Sequence, residues 1–375
     1  MGKSPRQDSL VLEVMTDVDA MRRATCMKES TIAEFPTTEH LQAFERYLSL
    51  VRQLIKREVD DASFKFGWTS PLAGRPTQFG KVVGLPQEAC MAANAMAAAM
   101  RCGAYMLSEA AAAGPSGEGV SGAPLPAAAI AAAAAAHAAV GPGSGPLAEA
   151  ATLLRKAAGV HAWLAEDALL RVMNNLAADR PVELIAPMAT CLSRVCLAEA
   201  QAVTAHRAGQ RGTSPGTTAA LHLGAAHMFE EAARGLRERA ADLGSVSDKL
   251  RRFLAISASL QRARAQRWWG LELLGQGEAG VGEGCCLEAA AAVTQCMVVA
   301  EGEEAWKRVL AMELEEVEGF RKRIEKDRAG VYYQSVVQRP DKSLPPSAKV
   351  LVTAVPYIPL AGVGSSSMDR ALETE

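Results

Sequence analysis

Aromatic residues are scarce in this chain of 375 residues, since phenylalanine, tryptophan and tyrosine together make up only 5% of it. Sheets favour bulky β-branched and aromatic side chains, whereas alanine and leucine allow helices to pack closely. The composition therefore predicts a mainly α fold. An excess of charge is also lacking, because 40 basic residues face 42 acidic ones, and this argues against a nucleic-acid-binding protein.

Signatures of metal binding and of secretion are missing as well. None of the eight cysteines forms a C-x-x-C pair, and His222 and His227 lie five positions apart, off the i, i+4 spacing of a zinc-binding helix. The first residues contain no apolar signal segment, and the run 127–140 is too short to span a bilayer. We expect a cytoplasmic protein without metal or cofactor.

Catalytic motifs are not found either. The one G-x-S-x-G match contains Pro215, so Ser214 is predicted to cap a helix rather than to act as a nucleophile. His161 is expected to be a hydrogen-bonded structural histidine. Glu313 and Glu316 alternate with lysine and arginine along their helix, which is typical of a solvated face. The sequence predicts a protein that is not an enzyme and has no small-molecule substrate.

Apolar residues recur at steps of three and four through most of the chain, as in amphipathic helices. Predicted helices span 39–56, 86–113, 215–243, 249–274, 283–301 and 304–328, and others begin at Leu147 and Pro187. Glycines and prolines punctuate the aromatic residues of 64–85, which predicts a connection with a short strand pair. Short links between long helices favour antiparallel neighbours, and 268–292 resembles a tetratricopeptide-type helix-turn-helix.

Three segments depart from the helical pattern. Residues 114–146 are rich in Gly, Pro, Ser and Ala, and we interpret them as a low-complexity loop insertion whose alanine run forms a transient helix. Beyond Arg328, apolar residues among five prolines predict an extended C-terminal arm, whose apolar side chains must lie on the helical body. Residues 361–375 are expected to be a flexible tail, which leaves 1–360 as a single domain.

Basic residues are concentrated in one segment, 234–267, which carries nine of them against three acidic residues. If these side chains share a face, they predict peripheral contact with an anionic membrane or an acidic partner. If they are scattered over two helices, they form no patch.

Several motifs together resemble the BRO (Bro-one) domain family of endosomal-sorting proteins, in particular its BROX-like and Alix-type members. The motifs are FGWT at 66–69, LAEAQAVT at 197–204, the Gly-Glu turn at 282–283, VY at 331–332 and LPPSAKVLV at 344–352. They follow the family order over residues 20–360.

The resemblance implies a boomerang-shaped helical domain with a tetratricopeptide-like core. It also implies a non-enzymatic adaptor, recruited peripherally to endosomal membranes, that binds the C-terminal amphipathic helix of an ESCRT-III subunit of the charged multivesicular body type. Carried over from the family, the apolar positions that hold this helix fall on Thr204, Thr217 and Leu221. Thr217 stands where the family usually has a larger aliphatic residue, and the charged rim position falls on Ala148. The prenylation cysteine of BROX is absent from the sequence given.

Overall fold

The computed structural model describes residues 15–23, 25, 38–57, 64–74, 79–113, 125, 127–138, 144–177, 179–244 and 246–360. The predicted tail, 361–375, and much of the predicted insertion lie outside the described residues.

Long helices make up most of the described chain, as the composition predicts. They are α1 (Thr38–Lys56), α2 (Leu85–Ala112), α3 (Ala127–Ala138), α4 (Pro146–Trp163), α5 (Ala186–Gln210), α6 (Pro215–Glu238), α7 (Asp248–Gly275), α8 (Ala279–Val299) and α9 (Glu304–Asp327). Within the described ranges, none of the helices is both long enough and apolar enough to cross a bilayer.

Local signals set several helix ends. Pro215 occupies the first turn of α6, where its missing N–H costs nothing, although the Ser214 hydroxyl makes no capping bond to the backbone. Ser247 does cap α7, because its side chain accepts a hydrogen bond from the Lys249 N–H. Helix α8 begins four residues before its predicted start at Glu283, since the glycine-rich stretch 279–282 is helical despite its low propensity.

The predicted strand pair is present as a hairpin of β1 (Lys65–Thr69) and β2 (Phe79–Val83), which pair antiparallel. Glu88 at the start of α2 fixes this hairpin: its fully buried carboxylate accepts hydrogen bonds from Trp68 Nε1 at 2.7 Å and Tyr47 Oη at 2.7 Å. Arg22 adds an ion pair at 2.6 Å and stacks on the rings of Phe66 and Trp68. The aromatic motif therefore joins the hairpin to the helices.

The helices pack in chain order, so that α5 lies between α4 and α6, and α7 lies between α6 and α8. Their buried apolar side chains form successive clusters along the molecule rather than one central core. Close packing of α7 on α8 depends on two glycines, since a Cβ on Gly270 would lie 2.7 Å from the carbonyl oxygen of Gly282. This is the tetratricopeptide-like pair that the sequence predicts, in which small residues allow two helices to meet.

The alanine run of the predicted loop insertion is a helix in this structure, α3, which packs on α2 and α4. Ala129 and Ala133 are buried in that contact, whereas Ile130 is 43% exposed. The alanine run is therefore helical, as predicted, and it packs on its neighbours because alanine has the highest helix propensity and a small side chain. The low-complexity insertion 114–146 as a whole stays a prediction.

Residues 333–360, which we call the arm, are extended and lie along the helical body, as predicted. The arm passes α8 first, where the Val337 N–H donates to the Gly280 carbonyl at 3.0 Å. It then crosses α6 and α4, and it ends beside α1, where the Tyr357 hydroxyl donates to Glu45 at 3.0 Å. The Tyr357 ring also packs edge-on against Trp163.

The prediction that the apolar side chains of the arm lie on the body is only partly correct. Val352 is buried and Tyr357 is half-buried, but Tyr333, Leu351 and Ile358 are exposed by 83%, 56% and 82%. The backbone of the arm contributes as well, because its carbonyl groups lie directly against the helical glycines Gly159, Gly224 and Gly280.

Candidate partner-helix site

The three predicted site residues lie on two adjacent helices. Thr204 is half-buried on α5 and donates its hydroxyl proton to the Ala200 carbonyl at 2.8 Å. Thr217 and Leu221 lie one turn apart on α6, which packs against α5. Thr217 is half-buried and accepts a hydrogen bond from the Ser214 hydroxyl at 2.9 Å, whereas Leu221 is only 2% exposed. Their role in binding stays a prediction.

Gln201, a residue of the motif at 197–204, connects this region to the arm, a role that the sequence analysis did not predict for it. The side chain is fully buried and its amide nitrogen donates to the carbonyls of Leu221 at 3.1 Å and Lys349 at 2.9 Å. Its amide oxygen accepts a hydrogen bond from the Leu351 N–H at 3.0 Å. A glutamine within an alanine-rich, apolar helix could have indicated such a connection, because a buried amide needs polar partners.

Gly224 seats the arm on α6. A Cβ at this position would lie 2.3 Å from the Lys349 carbonyl oxygen, and the Lys349 N–H donates to the Ala220 carbonyl at 2.9 Å. The positions 217, 221 and 224 follow helical spacing, so the face of α6 that contains Thr217 and Leu221 borders the arm. The candidate site is thus a surface formed jointly by α5, α6 and the edge of the arm.

Glu313 does not form part of a solvated face, contrary to the sequence prediction. Its side chain is 3% exposed and forms ion pairs with Arg264 at 2.5 Å and Arg267 at 3.1 Å. Burial raises the pKa of this carboxyl, but the two arginines outweigh burial and hold the pKa below its usual value. Glu316 is mostly exposed and pairs with Arg267 at 2.9 Å. The alternation of charge along α9 could not reveal that Arg264 and Arg267 of α7 lie beside Glu313.

These contacts also divide the basic segment 234–267. Besides the arginines that meet Glu313, Arg262 pairs with Glu230 and Arg252 pairs with Glu303 at 3.4 Å. The basic residues are spread over α6 and α7, and five of the nine have an acidic partner, the fifth being Arg239 with Asp242. The segment therefore matches the prediction of scatter rather than that of a single basic patch.

The buried histidines are held neutral. Burial, and after it the charge of Arg101, lower the pKa of His161 to about 3. The Nδ1 atom of His161 has no hydrogen-bond partner, so the expectation of a fully hydrogen-bonded histidine is not met at that atom. Burial and then Arg264 lower the pKa of His222, whose Nδ1 lies 2.8 Å from Gln261 Oε1. In the part of the chain that the structure describes, no three His, Cys, Asp or Glu side chains converge as metal ligands would.

Comparisons with solved structures show the fold. The chain is similar to the ALIX BRO1 domain in its complex with CHMP4C, with 16% sequence identity and a TM-score of 0.65, over 93% of this chain and 86% of that one. It is also similar to ALIX in complex with the SIVmac239 PYKEVTEDL late domain (16% identity, TM-score 0.64), covering 92% of this chain and 44% of the longer ALIX chain. The chain is also similar to a Bro1 domain structure that is described as the structural basis for endosomal targeting by this domain. The sequence identity is 14% and the TM-score is 0.56, over 96% of this chain and 84% of that one.

No curated protein sequence is significantly similar to this chain. The sequence model of the BRO1-like domain does match, and it covers residues 127–372, from α3 through the whole arm. That match spans well over half of the chain and includes the helices that carry Gln201 and Gly224. The chain therefore belongs to the BRO1-like domain family.

Proposed function

We propose that this protein is a non-enzymatic adaptor of endosomal sorting that binds the C-terminal amphipathic helix of an ESCRT-III subunit. The observation that carries the proposal is the similarity of fold, over 93% of the chain, to an ALIX BRO1 domain in complex with CHMP4C. Membership of the BRO1-like family supports it. Recruitment to endosomal membranes is part of the same proposal, and the similarity to a Bro1 domain described in terms of endosomal targeting supports it.

The proposed docking surface is the face of α5 and α6 that contains Thr204, Thr217 and Leu221. Partner helices are recognised through apolar side chains that enter such a surface at i, i+3 and i+4 spacing. Here Leu221 contributes little area because it is 2% exposed, and the two threonines are smaller than leucine. We therefore expect a weak complex, in which Thr217 limits the affinity.

Fluorescence anisotropy with labelled C-terminal helices of every ESCRT-III subunit from the source organism tests the proposal. One helix is expected to bind saturably. Thr217→Leu adds about one buried methylene-sized group, worth about 1 kcal/mol, and should tighten that binding about fivefold. Thr217→Arg should weaken it at least tenfold, because a charge would enter the apolar contact.

Val298→Arg is the matched control, since Val298 is 64% exposed on α8 and lies outside the proposed surface. It introduces the same charge and should leave the affinity unchanged. Absence of binding by every helix would contradict the proposal, and so would equal effects of Thr217→Arg and Val298→Arg. Thermal unfolding of each variant separates a lost contact from a lost fold.

A further inference from the structure

The part of the arm that crosses α6, α5 and α4 is bound to the helices through one edge of its backbone. The residues whose backbone groups make these hydrogen bonds are Lys349, Leu351, Thr353 and Val355. Their partners are backbone carbonyls of α6 and α4 and the side chains of Gln201 and Arg155. All four bound residues have odd numbers, and alternate residues of an extended chain direct their backbone groups to the same side. The odd-numbered edge therefore faces the helical body.

The even-numbered edge of the same stretch, which we call the free edge, is unpaired. It consists of Ala348, Val350, Val352 and Ala354. In the part of the chain that the structure describes, neither their N–H groups nor their carbonyls form a hydrogen bond. Ala348 is exposed, Val350 is 51% exposed and Ala354 is half-buried, whereas Val352 is 8% exposed and its side chain belongs to an apolar cluster of the body. Backbone groups in a fold are rarely left without a partner, so this edge is open to a ligand or to water.

Prolines limit the length of the free edge. Pro345 and Pro346 precede it and Pro356 follows it, and none of them has an N–H to donate. The six steps from Ala348 to Ala354 span about 20 Å at 3.3 Å per residue. The sequence between them, KVLVT at 349–353, favours a β-strand because it is rich in β-branched residues. The segment thus has the composition of a strand, although the structure describes no strand paired with it.

The shape of the free edge selects an extended occupant. Its donors and acceptors recur along a line, and another extended chain presents matching groups at the same spacing. A helix cannot do so, because its own backbone groups are paired internally except at its ends. Addition of a strand to such an edge is a common way in which proteins recognise peptides.

The charges beside the free edge favour an acidic partner over a second copy of this chain. Lys349 is exposed and Arg155 is half-buried, and among the described residues no carboxylate forms an ion pair with either of them. Residues 342–360 contain two lysines and no acidic residue. Two arms would therefore bring only like charges together, whereas a segment with a carboxylate complements Lys349.

We propose that the free edge binds an extended segment of a partner protein as an added antiparallel β-strand, and that this segment carries β-branched residues and an acidic residue opposite Lys349. Val350, Val352 and Ala354 each exchange backbone hydrogen bonds with the residue opposite. The exposed side chains of Val350 and Leu351 meet apolar side chains of the segment, one on each face. The occupant is a strand, so this site goes beyond the helix-binding function proposed above.

Labelled peptides of nine residues, titrated into the full chain and followed by fluorescence anisotropy, test the proposal. The parent peptide has valine at even positions and threonine at odd positions, except for glutamate at position 7, which antiparallel pairing places opposite Lys349. It is expected to bind saturably and to slow amide exchange at Val350 and Ala354. Methyl groups on the backbone nitrogens of peptide residues 2, 4 and 6, which face the free edge, should weaken binding about tenfold or more, since each removes a donor. Methyl groups on residues 3 and 5 point away and should change the affinity less than threefold.

Charge reversal locates the site without disturbing the fold. Lys349→Glu should weaken the parent peptide about fivefold, and lysine at position 7 of the peptide should restore the affinity. Lys342→Glu is the matched control, because Lys342 is also exposed on the arm but lies outside the free edge. It should change the affinity less than twofold. Thr217→Arg should also leave this peptide unaffected, so that failure of helix binding and failure of strand binding are distinguishable.

Three results would overturn the proposal. The first is no binding at millimolar peptide, and the second is an equal effect of the two methylation patterns. The third is an equal effect of Lys349→Glu and Lys342→Glu. Dimerisation of the chain in sedimentation velocity, with no peptide binding, would overturn it in favour of pairing between two arms.

Discussion

Gly159 on α4 should tolerate no side chain, although it lies inside a helix. A Cβ at this position would be 1.8 Å from the carbonyl oxygen of Val355 and 2.9 Å from its carbonyl carbon. Both belong to the backbone, so no side-chain rotation can relieve the contact. Gly159→Ala must displace the arm from α4.

The change in the free energy of unfolding caused by Gly159→Ala can be worked out from the contacts that this displacement breaks. The Val355 N–H donates to the Arg155 carbonyl at 3.0 Å, and Arg155 Nε donates to the Thr353 carbonyl at 2.8 Å. Each bond contributes about 1 kcal/mol, and partial exposure of Val352 costs about 1 kcal/mol more. Alanine gains about 1 kcal/mol over glycine in helix propensity. The net expectation is a loss of about 2 kcal/mol.

Gly319→Ala on α9 is the matched control, because no atom lies within 4 Å of the added Cβ. It should raise the free energy of unfolding by about 0.5–1 kcal/mol through helix propensity alone. Urea unfolding of the two variants should therefore shift in opposite directions. Hydrogen exchange in the arm should accelerate for Gly159→Ala and stay unchanged for Gly319→Ala. Equal stability of the two variants would refute the seating of the arm on α4.

Other substitutions test the buried polar groups. Glu313→Gln should cost about 3 kcal/mol in urea unfolding, because it removes the buried carboxylate that pairs with both Arg264 and Arg267, although Arg267 keeps its ion pair with Glu316. The pKa of Glu313 lies below its usual value of 4.5. The ionised carboxylate therefore stabilises the fold above pH 4.5, and this stabilisation is lost as the pH falls through the lowered pKa. Glu313→Gln should lack this acid-dependent loss. Trp68→Phe removes the donor to Glu88 and should cost about 2 kcal/mol, measured by the same assay. Tyr357→Phe removes the hydrogen bond to Glu45 and should cost about 1 kcal/mol, with faster hydrogen exchange at the end of the arm and not in α6.

Much of the helical architecture could be predicted from the sequence, because apolar spacing records which face of each helix is buried. The same spacing does not show which residues of other helices lie close to a given side chain. Glu313 was therefore placed on a solvated face, although Arg264 and Arg267, about 50 positions earlier in the chain, neutralise it. The contact between the rings of Phe253 and Trp306 was missed for the same reason, since each residue fits an ordinary helical stripe and the two rings meet only because α7 and α9 are adjacent.

The arm passes two helices at glycines that those helices carry at a cost. Gly159 and Gly224 lie in the interiors of α4 and α6, where each is about 1 kcal/mol less favourable than alanine. Each is also a point where the arm backbone passes too close for a Cβ. Each of these two glycines thus admits a close neighbour, unlike Gly319, and its cost is offset by backbone hydrogen bonds such as that from Lys349 to Ala220. The nearest arm atoms at both glycines belong to a backbone carbonyl, so close contact with the helices does not require burial of arm side chains such as Leu351 and Ile358, which stay exposed.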